Sequence, residues 1–423
     1  MRVCRGVWEA RVTGFFLRLA AVFCISVLVV SAQESSAPKR AARSKGRPTV
    51  VAPPIALTQG ESAAQSTQSP VDDTRRAKPE NLPTRNADKS PEAFERIVKS
   101  AGGRVDFVFA DERPFKECHA STLVEAGDGA LLCAWFGGDE EKADNVAIWL
   151  ARYENDTWSM PVKVAKVNET PHWNPVLFRD PAHGTYLFFK VGREIPFWET
   201  NWMQTKDDGH TWSEPEELVA HDQGGRGPVK NKPVILHDKT WLAGASTEYK
   251  GWKAFADRSQ DGGRTWVRSD DWQVDKTVIA GDGAIQPALW ESSPGHVHAF
   301  VRTAAGFVGR VDSADGGRTW SPVHKTDLPN NNSGLDVLKL EDGKLVLIYN
   351  PVGENWGSRS PLNLAISSDN GETWKDYAAL EDEKDMEFSY PAIVRTSTGV
   401  AVSYTWKRER IRVWEIPLKV LEH

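Results

Sequence analysis

The strongest constraint on this chain is an eight-residue turn that keeps returning. Ser259-Gln-Asp261-Gly-Gly263-Arg-Thr265-Trp266 reappears as Ser313-Ala-Asp315-Gly-Gly317-Arg-Thr319-Trp320 and as Ser367-Ser-Asp369-Asn-Gly371-Glu-Thr373-Trp374. A looser copy is Thr205-Lys-Asp207-Asp-Gly209-His-Thr211-Trp212, and a worn one ends at Thr157-Trp158. The closing tryptophans stand at 158, 212, 266, 320 and 374, each 54 residues from the next. An even period of that size marks stacked copies of one supersecondary unit. Asp and Ser side chains can close a turn on nearby backbone N–H groups, and Gly supplies positive φ. The tryptophan then leaves the turn to pack between units. The box is a rigid hairpin corner and carries no chemistry of its own.

A second pattern sits between the boxes. Six segments open on a non-apolar residue and continue as an apolar strand: His119-Ala-Ser-Thr-Leu, Asn174-Pro-Val-Leu, Lys232-Pro-Val-Ile, Gln286-Pro-Ala-Leu, Asp336-Val-Leu and Tyr390-Pro-Ala-Ile. Each turns and returns as a second strand, as in Leu345-Val-Leu-Ile348. With the box between two further strands, each unit has four. Six such units predict an all-β, six-bladed β-propeller over residues 104–423. The early strand at 104–109 has no unit of its own, and the last unit lacks a fourth strand after 411–416. The first is expected to complete the last blade. Inner strands line the channel, so His119, Asn174, Lys232, Gln286, Asp336 and Tyr390 are expected to converge at one end of it. Polar groups buried at equivalent points need partners, and a functional ring is the reading adopted.

The rest of the chain sets boundaries. Net charge is −6, so no nucleic-acid partner is expected. Residues 1–32 read as a signal peptide, with Arg2, Arg5 and Arg11 before the apolar run 19–30 and Val30-Ser31-Ala32 at its end. The run is short for a spanning helix, so no membrane span is expected in the mature chain. Export to the periplasm or the extracellular space follows. Residues 33–88, rich in Pro, Ser, Lys and Arg, read as a disordered linker. Ser90-Pro91 starts a short helix within 89–103 that Gly102-Gly103 stops. Cys118 and Cys133 flank a turn asymmetrically and are read as unpaired core thiols. No metal cluster, phosphate loop or nucleotide motif is seen, so no cofactor is expected. A monomer is expected.

Asp boxes on a six-bladed propeller resemble the sialidase (neuraminidase) superfamily, in its bacterial BNR-repeat branch, across about 104–420. The resemblance implies a retaining glycoside hydrolase with a tyrosine nucleophile, an assisting glutamate, an aspartate acid/base, and three arginines on the substrate carboxylate. Phe388-Ser-Tyr390-Pro-Ala-Ile393 is similar to the strand that bears the nucleophile, which makes Tyr390 the candidate. A phenol suits a sugar with a carboxylate on its anomeric carbon, because an anionic nucleophile is repelled there. Free tyrosine titrates near pH ~10, so a base must assist it. Asp144, ahead of Ile148-Trp149-Leu150, is similar to the acid/base, with Asp139, Glu140 and Glu141 as rivals. Arg302 matches one arginine, a planar fork for a carboxylate.

The departures bear on substrate. His119 stands where the first arginine is expected, and Arg359 is one residue out of step with the third. No acid lies at 284–286, where the glutamate belongs; Gln286 is there instead. Glu387 is an odd number of positions from Tyr390 along a strand, which predicts the opposite face. Lys232, with Lys230 and Lys190, is read as replacement positive charge. Trp135, Trp173 and Trp406 are read as sugar-stacking candidates. The expected substrate is an acidic glycan held by Arg302, His119, Lys232, Gln286, Asn174, Asp336 and Arg359. Two alternatives remain: a glycosidase or lyase for uronic or sulfated polysaccharide, with His119 and Tyr390 as a proton-transfer pair, and a non-catalytic carbohydrate-binding propeller.

Overall fold

The structure is a computed structural model that describes residues 88–422. The expected leader, 1–32, and all but the last residue of the expected linker, 33–88, lie outside them. A helix, Pro91–Ser100, begins the described chain, with Ser90 Oγ accepting from Ala93 N at its N-cap. Six antiparallel sheets follow, and together they form the six-bladed propeller. The inner strands of the blades, in chain order, are Glu117–Glu125, His172–Asp180, Val234–Ile235, Ala284–Ser293, Asp336–Lys339 and Phe388–Arg395. Closure is as expected: Arg104–Phe107 pairs with Arg410–Pro417 as the outer strand of the sixth blade, with Arg104 opposite Glu415 and Phe107 opposite Arg412. Phe94 stacks on Trp414 at 5.5 Å, so the helix caps that seam.

The repeated box works as its chemistry suggests. In the fourth blade Ser313 Oγ accepts from Gly317 N (2.9 Å), and Asp315 takes Thr319 N on one oxygen (2.9 Å) and Thr319 Oγ1 on the other (2.6 Å). The bonds repeat around Asp207, Asp261 and Asp369. Each box tryptophan lies against the blade before it: Trp212 on the first-blade core, Trp266 on Phe188, Trp374 on Phe300. Gly263 and Gly317 hold positive φ where a Cβ would strike Trp241 or Leu242. The worn copy at 158 is not a box. Asn155 and Asp156, both at positive φ, make a two-residue hairpin between Glu154 and Thr157 instead.

Four inner strands carry the same bulge. Their pairing slips between His119 and Thr122, Trp173 and Val176, Ile285 and Ala288, and Ser389 and Ala392. The bulged residues Ala120, Asn174, Gln286 and Tyr390 all take left-handed φ, from 40 to 56°. Asn174, Gln286 and Tyr390 are thus equivalent, as expected. In the first blade, however, the equivalent residue is Ala120; His119 shares its position with Trp173, Ile285 and Ser389. The expected ring was out of step there, because a bulge shifts register by one without a mark in the hydrophobic pattern.

Bulges free backbone groups from the ladder, and the channel satisfies them. Ala120 N donates to Thr405 Oγ1 (3.1 Å) and Gln286 N to Ser246 Oγ (3.2 Å), each on the preceding blade. From the third blade Asn231 Nδ2 reaches the carbonyls of Gln286 and Pro287, both at 3.1 Å. Lys230 Nζ donates to the carbonyls of Pro391 and Leu335 and to Asn231 Oδ1. Lys232 does not face a ligand alone: its ammonium bonds Asp336 at 2.9 and 3.0 Å, and Asp336 also accepts from Ile393 N at 2.9 Å. Lys190 is buried on Thr200 and the Arg226 carbonyl. Cys118 and Cys133 are buried free thiols.

Two outcomes follow from this buried charge. Asp336→Ala leaves the Lys232 ammonium without a counter-charge and the Ile393 N–H unpaired, and urea unfolding should show a loss of about 3–5 kcal/mol. Burial, partly opposed by Asp336, lowers Lys230 from 10.5 to about 7; burial likewise lowers Lys190 to about 7. Between those values the folded chain holds fewer protons than the unfolded one, so these lysines make stability rise with pH from about 7 toward 10. Melting temperatures across that range should rise less in Lys230→Met and Lys190→Met than in the parent.

Candidate functional site

The start of each inner strand pairs with the end of the second strand, as His119 with Phe136, Ile285 with Arg302 and Ser389 with Thr405. The loops after the second strands therefore rim the same end of the channel. Tyr390, 9% exposed, sits on the wall there. Its left-handed backbone aims the ring where a regular strand would not. The phenolic oxygen receives Arg302 Nη1 at 2.6 Å and Gln286 Nε2 at 3.4 Å. Both are donors. The His119 ring lies 4.2 Å from the Tyr390 ring, with the Arg359 guanidinium at 5.6 Å and the Lys230 ammonium at 6.0 Å.

Arg302 is held by neutral groups. Its Nε donates to Asn332 Oδ1 (2.7 Å), and Asn332 Nδ2 donates to Asn355 Oδ1 (2.9 Å). Trp252, at 5.1 Å, and Trp356, at 5.8 Å, flank the guanidinium, and Trp356 is 66% exposed. Glu248, at the end of a second strand, has its carboxyl raised by burial, against the pull of Arg302. His119 is buried and lies within 2.9 Å of Thr405 Oγ1. Burial first, then the nearby Arg408 and Arg359, pushes it well below the ordinary imidazole range. It is a neutral imidazole at pH 7 and no cationic substitute for an arginine.

The structure thus gathers Tyr390, Arg302, Gln286, His119 and Arg359 into one cluster. Asn174 shares the bulge position of Tyr390 one third of the ring away. Lys232 and Asp336 satisfy each other below. Asp144 stands apart: it is exposed, and its carboxylate bonds Arg193. Glu141, of the same loop, lines the cleft with His119 and Arg408 and bonds Arg408 Nη1 at 2.7 Å.

Several expectations change. Glu387 is not turned away from the cluster. It lies just before the strand Phe388–Arg395, the bulge at Tyr390 breaks the alternation between the two, and it contacts Arg359, Arg408 and Ser389. Burial pushes its carboxyl up, and Arg359 and Arg408 outweigh that and hold it below the usual value. Trp135 is wholly buried against Phe109, Trp173 donates to the Gly192 carbonyl within the core, and Trp406 packs under Arg410. They are structural rings. Arg408, Asn332, Trp252, Trp356 and Glu248 were missed; all but Asn332 lie on rim loops, whose only sequence signal is that they follow second strands.

Comparison with known proteins agrees with the fold. A curated relative, the anhydrosialidase of Macrobdella decora, is 24% identical over 35% of this chain and 22% of its own length. The match therefore spans about a fifth of that protein. Among solved structures, the Hadza microbial sialidase Hz136 superposes with a TM-score of 0.61 at 18% identity, covering 72% of this chain and 66% of that one. NanB sialidase from Streptococcus pneumoniae gives 0.58 at 13%, covering 74% and 69%. A protein of unknown function from Dyadobacter fermentans gives 0.58 at 17%, covering 74% and 99%. These likenesses show the fold. The profile of the BNR repeat-like domain matches residues 129–402, and the chain belongs to that family.

Proposed function

We propose that the chain is an exported glycoside hydrolase of the sialidase type that acts on an acidic glycan by a retaining route. The observation that carries this reading is the Tyr390 hydroxyl, placed at the channel mouth with Arg302 donating to it at 2.6 Å. Donors aimed at the oxygen fix its position and stabilise the negative charge that builds on it as its proton leaves. Tyr390 oxygen bonds the anomeric carbon as the glycosidic C–O bond breaks, and its phenolic proton passes to the neutral His119 imidazole, whose ring lies 4.2 Å away. A carboxyl on the 138–146 loop gives its proton to the leaving oxygen, and water later releases the sugar.

Two carboxyls compete for the acid. Asp144 is the residue the family resemblance points to; Glu141 is favoured by its bond to Arg408, which also holds Glu387 beside His119. Arg302, with Gln286 and Asn332 beside it, is the group for the acidic part of the sugar. The apolar run at 19–30 supports export, and among the described residues no helix is long and apolar enough to cross a membrane.

A second reading has its own support. Gln286 stands where an assisting glutamate is expected, and His119 lies 4.2 Å from Tyr390. That pair suits proton abstraction beside a uronate carboxylate, with elimination in place of hydrolysis.

A panel of sialosides, glucuronides and sulfated oligosaccharides, followed by reducing ends and by near-ultraviolet absorbance, separates the two. Hydrolysis without an absorbing product is expected. Tyr390→Phe should lower turnover at least a thousandfold with melting unchanged; full activity in that variant removes the nucleophile assignment. On substrates with poor leaving groups, the true acid is whichever of Glu141→Gln and Asp144→Asn loses about 100-fold or more, with aryl glycosides of acidic phenols largely spared.

A further inference from the structure

Two arginines converge on one carboxylate oxygen next to Tyr390. Glu387 Oε1 accepts from Arg359 Nη1 at 2.6 Å, from Arg408 Nε at 2.8 Å and from Ser389 Oγ at 2.7 Å. His119 Nδ1 stands 3.9 Å from the same oxygen. The side chains of Arg359, Arg408 and Glu387 are 18, 25 and 27% exposed, so a solute at the rim can reach them. Arg408 spends a further N–H on Glu141. Paired guanidiniums form the usual receptor for a planar anion. Here the anion in the receptor is a side chain of the protein.

Arg302 contrasts with them. Its bonds go to Asn332, Gln286 and Tyr390, all uncharged. Among the described residues it has no carboxylate within ion-pair distance. Arg359 and Arg408 are held in direct ion pairs from within; Arg302 makes none, and the partly buried Glu248 acts on it only from a distance.

We infer that Glu387 is a specificity-determining residue, a built-in anion that fills the Arg359–Arg408 fork and leaves Arg302 to receive the acidic group of a ligand. The choice of sugar acids as ligands rests on the proposed function; the filled fork does not. A carboxylate brought to Arg359 meets like charge at Glu387 and has to displace it. The pocket therefore takes a glycan that offers one acidic group to one guanidinium. It disfavours a sugar acid that needs several arginines at once.

The test is binding, so it stands whether or not the chain hydrolyses anything. N-acetylneuraminic acid and glucuronic acid are titrated calorimetrically into the full chain, Glu387→Gln and Glu387→Asp, with melting curves as the folding control. Glu387→Gln should bind N-acetylneuraminic acid at least tenfold more tightly than the parent, because the fork is freed of charge. Glu387→Asp keeps the charge but withdraws it by one methylene, and should gain less. Arg302→Met should abolish parental binding of glucuronic acid. Affinity in Glu387→Gln that is equal to the parent or weaker overturns the inference. Should that variant not fold, unchanged affinity in Glu387→Asp does the same.

Discussion

The channel of this propeller depends on a short peg, Lys230-Asn231, reaching across from the third blade. Four inner strands bulge at the same level, and each bulge takes backbone groups out of the sheet. Buried amides without partners are costly. The peg bonds carbonyls of the fourth, fifth and sixth blades at Gln286, Pro287, Leu335 and Pro391. It thereby fixes the backbone just after Gln286 and just after Tyr390. Gly334 leaves the room, since a Cβ there would lie 3.0 Å from the Lys230 stem. What holds the ring together also sets the position of the tyrosine.

The charge pattern at the rim follows from that frame. Arg302 rises from the end of a second strand directly opposite Ile285, so it meets the residue one step further along, Gln286, and the facing Tyr390. The other two arginines come from loops, which is why a carboxylate from the chain can close on them. His119, buried among four cations, is forced neutral. A site that looks rich in positive charge therefore offers much less of it than a residue count implies.

The blades were legible because burial imposes a period. The 54-residue spacing of the tryptophans, the box hydrogen bonds and the closing strand at 104–107 all come from local turn chemistry and apolar alternation. The places of Tyr390 and Gln286 were legible for the same reason, since each lies on a strand whose end is set by that pattern; Arg302 was singled out by the family resemblance alone. Lys232, Lys190, Trp135, Trp173 and Trp406 were misjudged because composition shows that a cation or an indole exists but not which partner it has. Each turned out to be packed or paired inside the fold. The slip of His119 against Ala120 has a single cause: in the first blade the bulged residue is an alanine, and the polar residue that opens the segment stands one position before it.

The sequence by itself determined six units, their strand order, and the residue types that open each inner strand, because these rest on contacts within a few positions of one another. The tertiary structure alone decided which charges remain available. Glu387 against Arg359 and Arg408, Lys232 against Asp336, and Arg302 against Tyr390 join residues 21 to 104 positions apart. Coulomb and hydrogen-bond partners are chosen by distance in space, and no spacing along the chain encodes it.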